Sequence, residues 1–228
     1  MSEMDDCLRC TETIDCDNEA IVERARTLTE GMQADREKAV ALYYFVRDEI
    51  RHNPYAPLHD RDRYRASATL EAGNGFCQLK SILLVALCRA LGIPARLGFV
   101  DVRDHLLSDK FKEMIGGVNV FPHHGYAELF IQGRWIHVSP AYDLATCRKN
   151  RFVPVEFDGM NDARDSRFDE DGRPHMEHVE DHGRYADLPW EDMQAHYRKW
   201  VAQLGLDWDE LKETGERVRQ GRSWGERG

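Results

Sequence analysis

Apolar residues recur at helical spacing in several stretches of this chain and alternate with polar ones in others. The strongest helical signal runs from Leu79 to Leu91, with apolar residues at 79, 82, 83, 86, 87, 90 and 91. Leu84, Val85 and Cys88 fill most of the remaining face, which predicts a helix buried nearly all round. Gly92 and Pro94 stop it. Upstream, Asp17 caps a predicted helix through about Thr29, with Ile21, Ala25 and Leu28 inward and Gly31 at its end. A second begins near Asp35 and runs to about Arg51, its stripe formed by Ala39, Leu42, Tyr43, Val46 and Ile50. A fourth starts at Asp187 or Leu188-Pro189 and runs to about Leu204.

Strict alternation predicts strands at Ala95–Arg103, Gly125–Ile131 and Arg134–Ser139. Gln132-Gly133 joins the last two as a two-residue hairpin turn, which pairs Ile131 with Arg134. One face of that hairpin then carries Ala127, Leu129, Ile131, Ile136 and Val138. The other carries His124, Tyr126, Glu128, Phe130, Trp135, His137 and Ser139. Segments 52–65 and 145–188 read as loop, apart from a short strand expected at Val153–Phe157. An insertion at 105–120 carries a helical pattern over Leu107–Ile115 and reads either as a lid or substrate wall or as a plain connecting loop. The tail from Trp208 is charged, helical to about Val218.

The 228 residues suffice for one domain, expected over 1–228, with a core at about 35–145, an N-terminal arm and a C-terminal extension. A formal charge of −10 argues against general nucleic-acid binding and against anionic membrane surfaces. No run of about 18 apolar residues and no leader-like N-terminus is present, so the expected compartment is the cytoplasm, with thiols reduced. Six cysteines at irregular spacing do not read as a disulfide scaffold. Oligomeric state is not legible.

Two residues carry the chemistry. Cys77 follows the turn Gly73-Asn74-Gly75-Phe76 and opens the buried helix. The helix dipole and free backbone N–H groups there favour a thiolate, and the same N–H groups can receive an oxyanion. Cys88, mid-helix, reads as a core thiol. The base is expected at His124, at the start of its strand. In the hairpin register His124 lies opposite Ala141, with Ser139 and Asp143 as diagonal neighbours. Asp143 is the expected orienting residue, because a carboxylate offsets the imidazolium charge, and Ser139 is the alternative. His123 points to the opposite face, and Glu128 reads as a structural partner.

Other clusters call for nothing as specific. Cys7-x-x-Cys10 lacks a second pair to complete a zinc set and reads as part of an extended arm. His175, His178 and His182 fall at i, i+3, i+7, a conceivable metal face, but flanking glycines and proline favour a solvated loop or short exposed helix. No metal or cofactor is expected.

Gly75-Phe76-Cys77, the run Cys88-Arg-Ala-Leu-Gly-Ile-Pro-Ala-Arg96, and His124-Gly-Tyr-Ala-Glu128 followed by Gly133-Arg-Trp135 resemble the transglutaminase-like superfamily over about residues 40–143. The resemblance implies an α+β, papain-like core, with a cysteine-headed helix packed on a small antiparallel sheet that carries the histidine. It implies Cys77 as nucleophile, His124 as base, and a peptide or protein amide as substrate. Gly75, Phe76 and Tyr126 are expected to contact that substrate. The chain departs from the pattern where Trp135-Ile-His-Val-Ser139-Pro140 puts serine at the usual aspartate position, and where Tyr126 replaces a common tryptophan. Hydrolysis and transamidation share one acyl-enzyme, so the sequence does not choose between them. The alternative is a module whose triad has decayed and whose groove only binds peptides or partners.

Overall fold

The computed structural model describes residues 3–54, 59–107, 117–203, 205, 207 and 208. Its helices are α1 (Glu3–Asp6), α2 (Glu19–Leu28), α3 (Asp35–Tyr44), α4 (Ala66–Ala72), α5 (Cys77–Ala90), α6 (Leu144–Asn150) and α7 (Trp190–Gln203). A minimal parallel pair joins β1 (Arg51–His52) to β2 (Asn74–Gly75). The main sheet contains β3 (Ala95–Asp104), β4 (Val120–Ile131), β5 (Arg134–Val138) and β6 (Met176–Tyr185), in the order β5-β4-β3-β6 and antiparallel throughout. The α+β architecture follows from the pattern of apolar positions. The hairpin pairs Ile131 with Arg134, with Gln132 and Gly133 both at positive φ, as a tight turn of this twist requires.

One apolar core is shared by α2, α3, α5 and the sheet, with Ile21, Leu42, Leu83, Leu87 and Leu129 inside it. Every residue from Gln78 to Arg89 is buried, the state that an all-round apolar helix demands. Each of its leucines contributes roughly 1.5–3 kcal/mol by leaving water. Arg89 is buried too. Its guanidinium donates to the carbonyls of Arg9, Ala95 and Ala186, which ties the N-terminal arm and the chain beyond β6 to the end of α5.

Several local expectations are corrected. The α3 stripe ends as a π-helical turn, Phe45–Glu49, rather than as α-helix to Arg51. Asn18, not Asp17, caps α2. Val153–Phe157 forms no strand; the Val155 carbonyl instead accepts from Tyr43 and Arg47. Helix α6 and strand β6 both fall in the segment read as loop. Strand β6 has no apolar alternation because most of it is solvated, and its backbone bonds to β3 hold it. Cys10 and Cys16 form a disulfide, Cα–Cα 5.1 Å, closing a short loop rather than remaining thiols. The helices expected over Leu107–Ile115 and Trp208–Val218 fall almost wholly outside the described residues. Among the described residues no helix is long and apolar enough to cross a membrane.

Candidate active site

The nucleophile turn is built by glycines. Gly73 ends α4 in the left-handed region, φ 63°. Gly75 packs so tightly on α5 that a Cβ there would lie 2.8 Å from Leu79 Cβ. Phe76 caps α5 without any side-chain hydrogen bond, so no side chain competes for the N–H groups of its first turn. Cys77, partly accessible, opens that turn.

A second glycine brings the histidine to it. A Cβ on Gly125 would lie 2.8 Å from the Gln78 Cα, so β4 and the first turn of α5 touch backbone to backbone here. Gln78 adds a hydrogen bond to the His123 carbonyl and another to the Tyr197 hydroxyl of α7. His124 follows directly, close enough to Cys77 for a negative charge there to raise its pKa. Its Nε2 lies 3.0 Å from Asp165 Oδ2, and both side chains are buried. Ser139 Oγ donates to the same Asp165 oxygen at 2.5 Å.

The charges agree with this line of contacts. Burial works against a cationic His124, but the Cys77 thiolate and the Asp165 hydrogen bond outweigh it and hold the imidazole well above its usual range. Burial likewise works against an ionised Asp165, yet the His124 hydrogen bond and charge, with the Ser139 hydroxyl, bring the carboxyl down to about 2. An imidazolium backed by a carboxylate is therefore the state that His124 and Asp165 stabilise together. Cys88 differs on every count: it is buried in the core, and desolvation pushes its thiol up.

The carboxylate on His124 is not the one expected from the hairpin. Asp143 is turned away to cap α6. It accepts from Thr146 N–H at 2.8 Å, from the Thr146 hydroxyl at 3.0 Å and from His52 N–H at 2.6 Å. Strand β5 stops at Val138, so the register that made Asp143 a diagonal neighbour does not extend past Pro140. Asp165 arrives from a later segment instead. Ala163 bridges Val138 in parallel, with Ser139 N–H donating to Ala163 O and Ala163 N–H to His137 O, both at 2.8 Å. Asp162 accepts from His137 N–H at 3.0 Å and steadies the same edge. Ser139, at the position where the family pattern has aspartate, thus presents its hydroxyl to an aspartate supplied from elsewhere.

The expected substrate contacts are placed less openly. Gly75 and Phe76 are buried, Phe76 edge-on to Tyr64. Tyr126 is buried over Gly98, where a Cβ would lie 2.2 Å from its ring, and it stacks on His137 at 3.8 Å. Tyr126 therefore packs the sheet, almost wholly buried, at the floor of a pocket it shares with Val100, Arg164 and Arg184. Sequence reasoning also missed Lys80, one turn behind Cys77. It is fully buried, donates to Arg47 O, and is lowered by desolvation to about 7.

The fold is a cysteine-type enzymatic one. A model of the transglutaminase-like superfamily matches residues 22–140, and the chain belongs to that superfamily. No curated protein matches it. Among solved structures, it is similar to a candidate cysteine protease of Cytophaga hutchinsonii, at 18% identity and a TM-score of 0.48, covering 81% of this chain and 55% of that one. It is similar also to the periplasmic domain of TgpA from Pseudomonas aeruginosa, at 20% identity and a TM-score of 0.41, covering 59% of this chain and 46% of that one. The chain thus spans about half the length of these structures.

Proposed function

We propose that the protein catalyses acyl transfer from an amide through a covalent thioester on Cys77, with His124 as proton carrier and Asp165 as its orienting carboxylate. The observation that carries this reading is His124, electrostatically coupled to Cys77 and hydrogen-bonded through Nε2 to a buried carboxylate. Such a line of groups has a chemical use, because the carboxylate fixes the imidazole and stabilises its cation.

The Cys77 thiolate attacks the carbonyl carbon, and the unclaimed N–H groups at the start of α5 receive the developing oxyanion. His124 gives its proton to the leaving nitrogen as the C–N bond breaks, leaving a thioester and free amine or ammonia. Water or a second amine, deprotonated by His124, then attacks the thioester and restores the thiol. Water makes the protein a protease or amidase, and an amine makes it a transamidase. Ser139 holds Asp165 through the oxygen that faces His124, so it acts as a positioning residue. A decayed binding module has no use for a carboxylate delivered onto the histidine, and the serine that suggested decay is here that carboxylate's partner.

The test offers the protein glutamine-bearing polypeptides with and without a fluorescent primary amine. Ammonia release, amine incorporation and peptide cleavage are followed, and acyl-Cys77 is trapped for mass spectrometry. The expected result is at least one of the three products, lost in Cys77→Ala. An intact Cys77 thiol that alkylates no faster than Cys88 at neutral pH would overturn the reading.

A further inference from the structure

Three neighbouring strands are irregular at one point. Between β3 and β4 the register jumps from Val100↔His124 to Val102↔Phe121, which leaves Asp101, Pro122 and His123 outside that ladder. Between β3 and β6 it jumps from Phe99↔Gly183 to Val100↔Asp181, which leaves out His182. His123 has a left-handed backbone, φ 55°. Bulges re-aim side chains, and they concentrate beside functional sites. Here three of the released residues, Asp101, His123 and His182, turn to the same place. The His123 and His182 rings stack at 4.3 Å and 7°. His182 Nε2 lies 2.6 Å from Asp101 Oδ1, which also accepts the His123 N–H at 3.0 Å. One ligand atom from each of the three lies within 4.8 Å of the others.

His123 is 2% exposed, yet its Nδ1 has no hydrogen-bond partner. A buried imidazole nitrogen without a partner is costly, and a ligand removes that cost. His196, on α7, brings a third ring to 4.8 Å from His123 and 5.4 Å from His182, on the solvent side.

We propose that Asp101, His123 and His182 form a binding site for a divalent transition-metal ion of the zinc type, with His196 or water completing the shell. Imidazole nitrogens with one carboxylate suit zinc, whose nitrogen ligands lie about 2.0–2.1 Å from the ion. Two ligands of a tetrahedral ion of this size are about 3.3–3.4 Å apart, so an inward turn of the partly exposed His182 closes the site. On binding, His182 takes the tautomer with its proton on Nδ1, so that its Nε2 lone pair and a lone pair of Asp101 both go to the ion. Position 123 adjoins the residue that faces the thiol, and its carbonyl accepts from Gln78, next to Cys77. The ion would therefore brace the strand that carries His124.

The test uses chelator-treated, tag-free full-length protein. Zn²⁺ is titrated calorimetrically against a competing chelator, and Co²⁺ serves as a spectroscopic probe. One equivalent should bind, and Co²⁺ should give the visible bands of a low-symmetry site. His182→Gln and Asp101→Asn should each weaken Zn²⁺ binding at least about tenfold, while Cys77→Ser should leave it unchanged. Should either variant melt early, histidine-ring NMR of the unmodified protein decides. Zn²⁺ must then shift His123 and His182 and leave His137 alone. Absence of stoichiometric binding, binding indifferent to both variants, or binding lost in Cys77→Ser (which would place the metal on the catalytic pair) overturns the proposal.

Discussion

Two segments follow β5 within a short stretch of chain, and each delivers a buried aspartate to the same end of the sheet. Asp143 comes first and spends its oxygens on backbone, as the cap of α6 and the acceptor for His52 N–H. Asp165 comes later, and its Oδ2 faces side chains alone, His124 and Ser139. Both carboxyls are held low, Asp143 by backbone N–H donors working against burial and Asp165 by an imidazole working against deeper burial. A buried, ionised carboxylate is therefore not by itself a mark of catalysis. What its charge faces decides: backbone donors make it structural, and a titratable ring that also meets a thiol makes it a candidate for chemistry.

The contrast is broken most directly at Asp165. Asp165→Ala should lower turnover, or the rate of Cys77 alkylation at neutral pH, by at least about a hundredfold, since the imidazole loses both tautomer and counter-charge. A loss under about threefold would remove Asp165 from the site. Asp143→Ala should do the reverse. It strips the α6 cap and leaves buried donors unpaired, costing roughly 2–3 kcal/mol in a denaturant titration, while alkylation of Cys77 per folded molecule stays within about twofold. If Asp143→Ala slows the chemistry more than Asp165→Ala, the two roles have been exchanged. Ser139→Ala should fall between, slowing the reaction by about threefold to tenfold, since the second Asp165 hydrogen bond is lost but the carboxylate stays. Its pH–rate profile should show the His124 limb shifted, a readout that loss of fold would not move.

The smallest effect concerns pH. His52 and His137 are held neutral, mainly by burial, at about 4 and about 3. Lys80 and Asp143 act on His52, and Arg164, Asp165 and Asp162 act on His137. Both lie below the unfolded value of about 6.5, so as pH falls through that window the unfolded chain takes up protons that the folded one refuses, and stability declines. The thermal midpoint should therefore drop between about pH 6.5 and 4. The slope should be shallower in His137→Gln, whatever that variant's midpoint at neutral pH. An unchanged slope would show that His137 is not the group refusing its proton.

Local chemistry in the chain was enough for much of this. The apolar period of 79–91, the Gly-x-Gly turn before Cys77 and the Gln132-Gly133 hairpin are short-range signals, and short-range signals determine a buried helix, its glycine-built entry and a two-strand register. Asp165 was not legible, because it lies in a polar stretch without periodicity. Its position depends on a bridge between Val138 and Ala163, a pairing that leaves no periodic trace in either segment. Strand β6 and the bulges that gather Asp101, His123 and His182 escaped for the same reason. Backbone hydrogen bonds, not apolar side chains, hold that edge, and backbone bonds are identical for every residue type. The sequence by itself thus pointed to the candidate thiol and histidine, each announced by its own neighbours. Only the tertiary structure decided which aspartate completes the line, since that depends on where three separate segments of chain come to rest against one another.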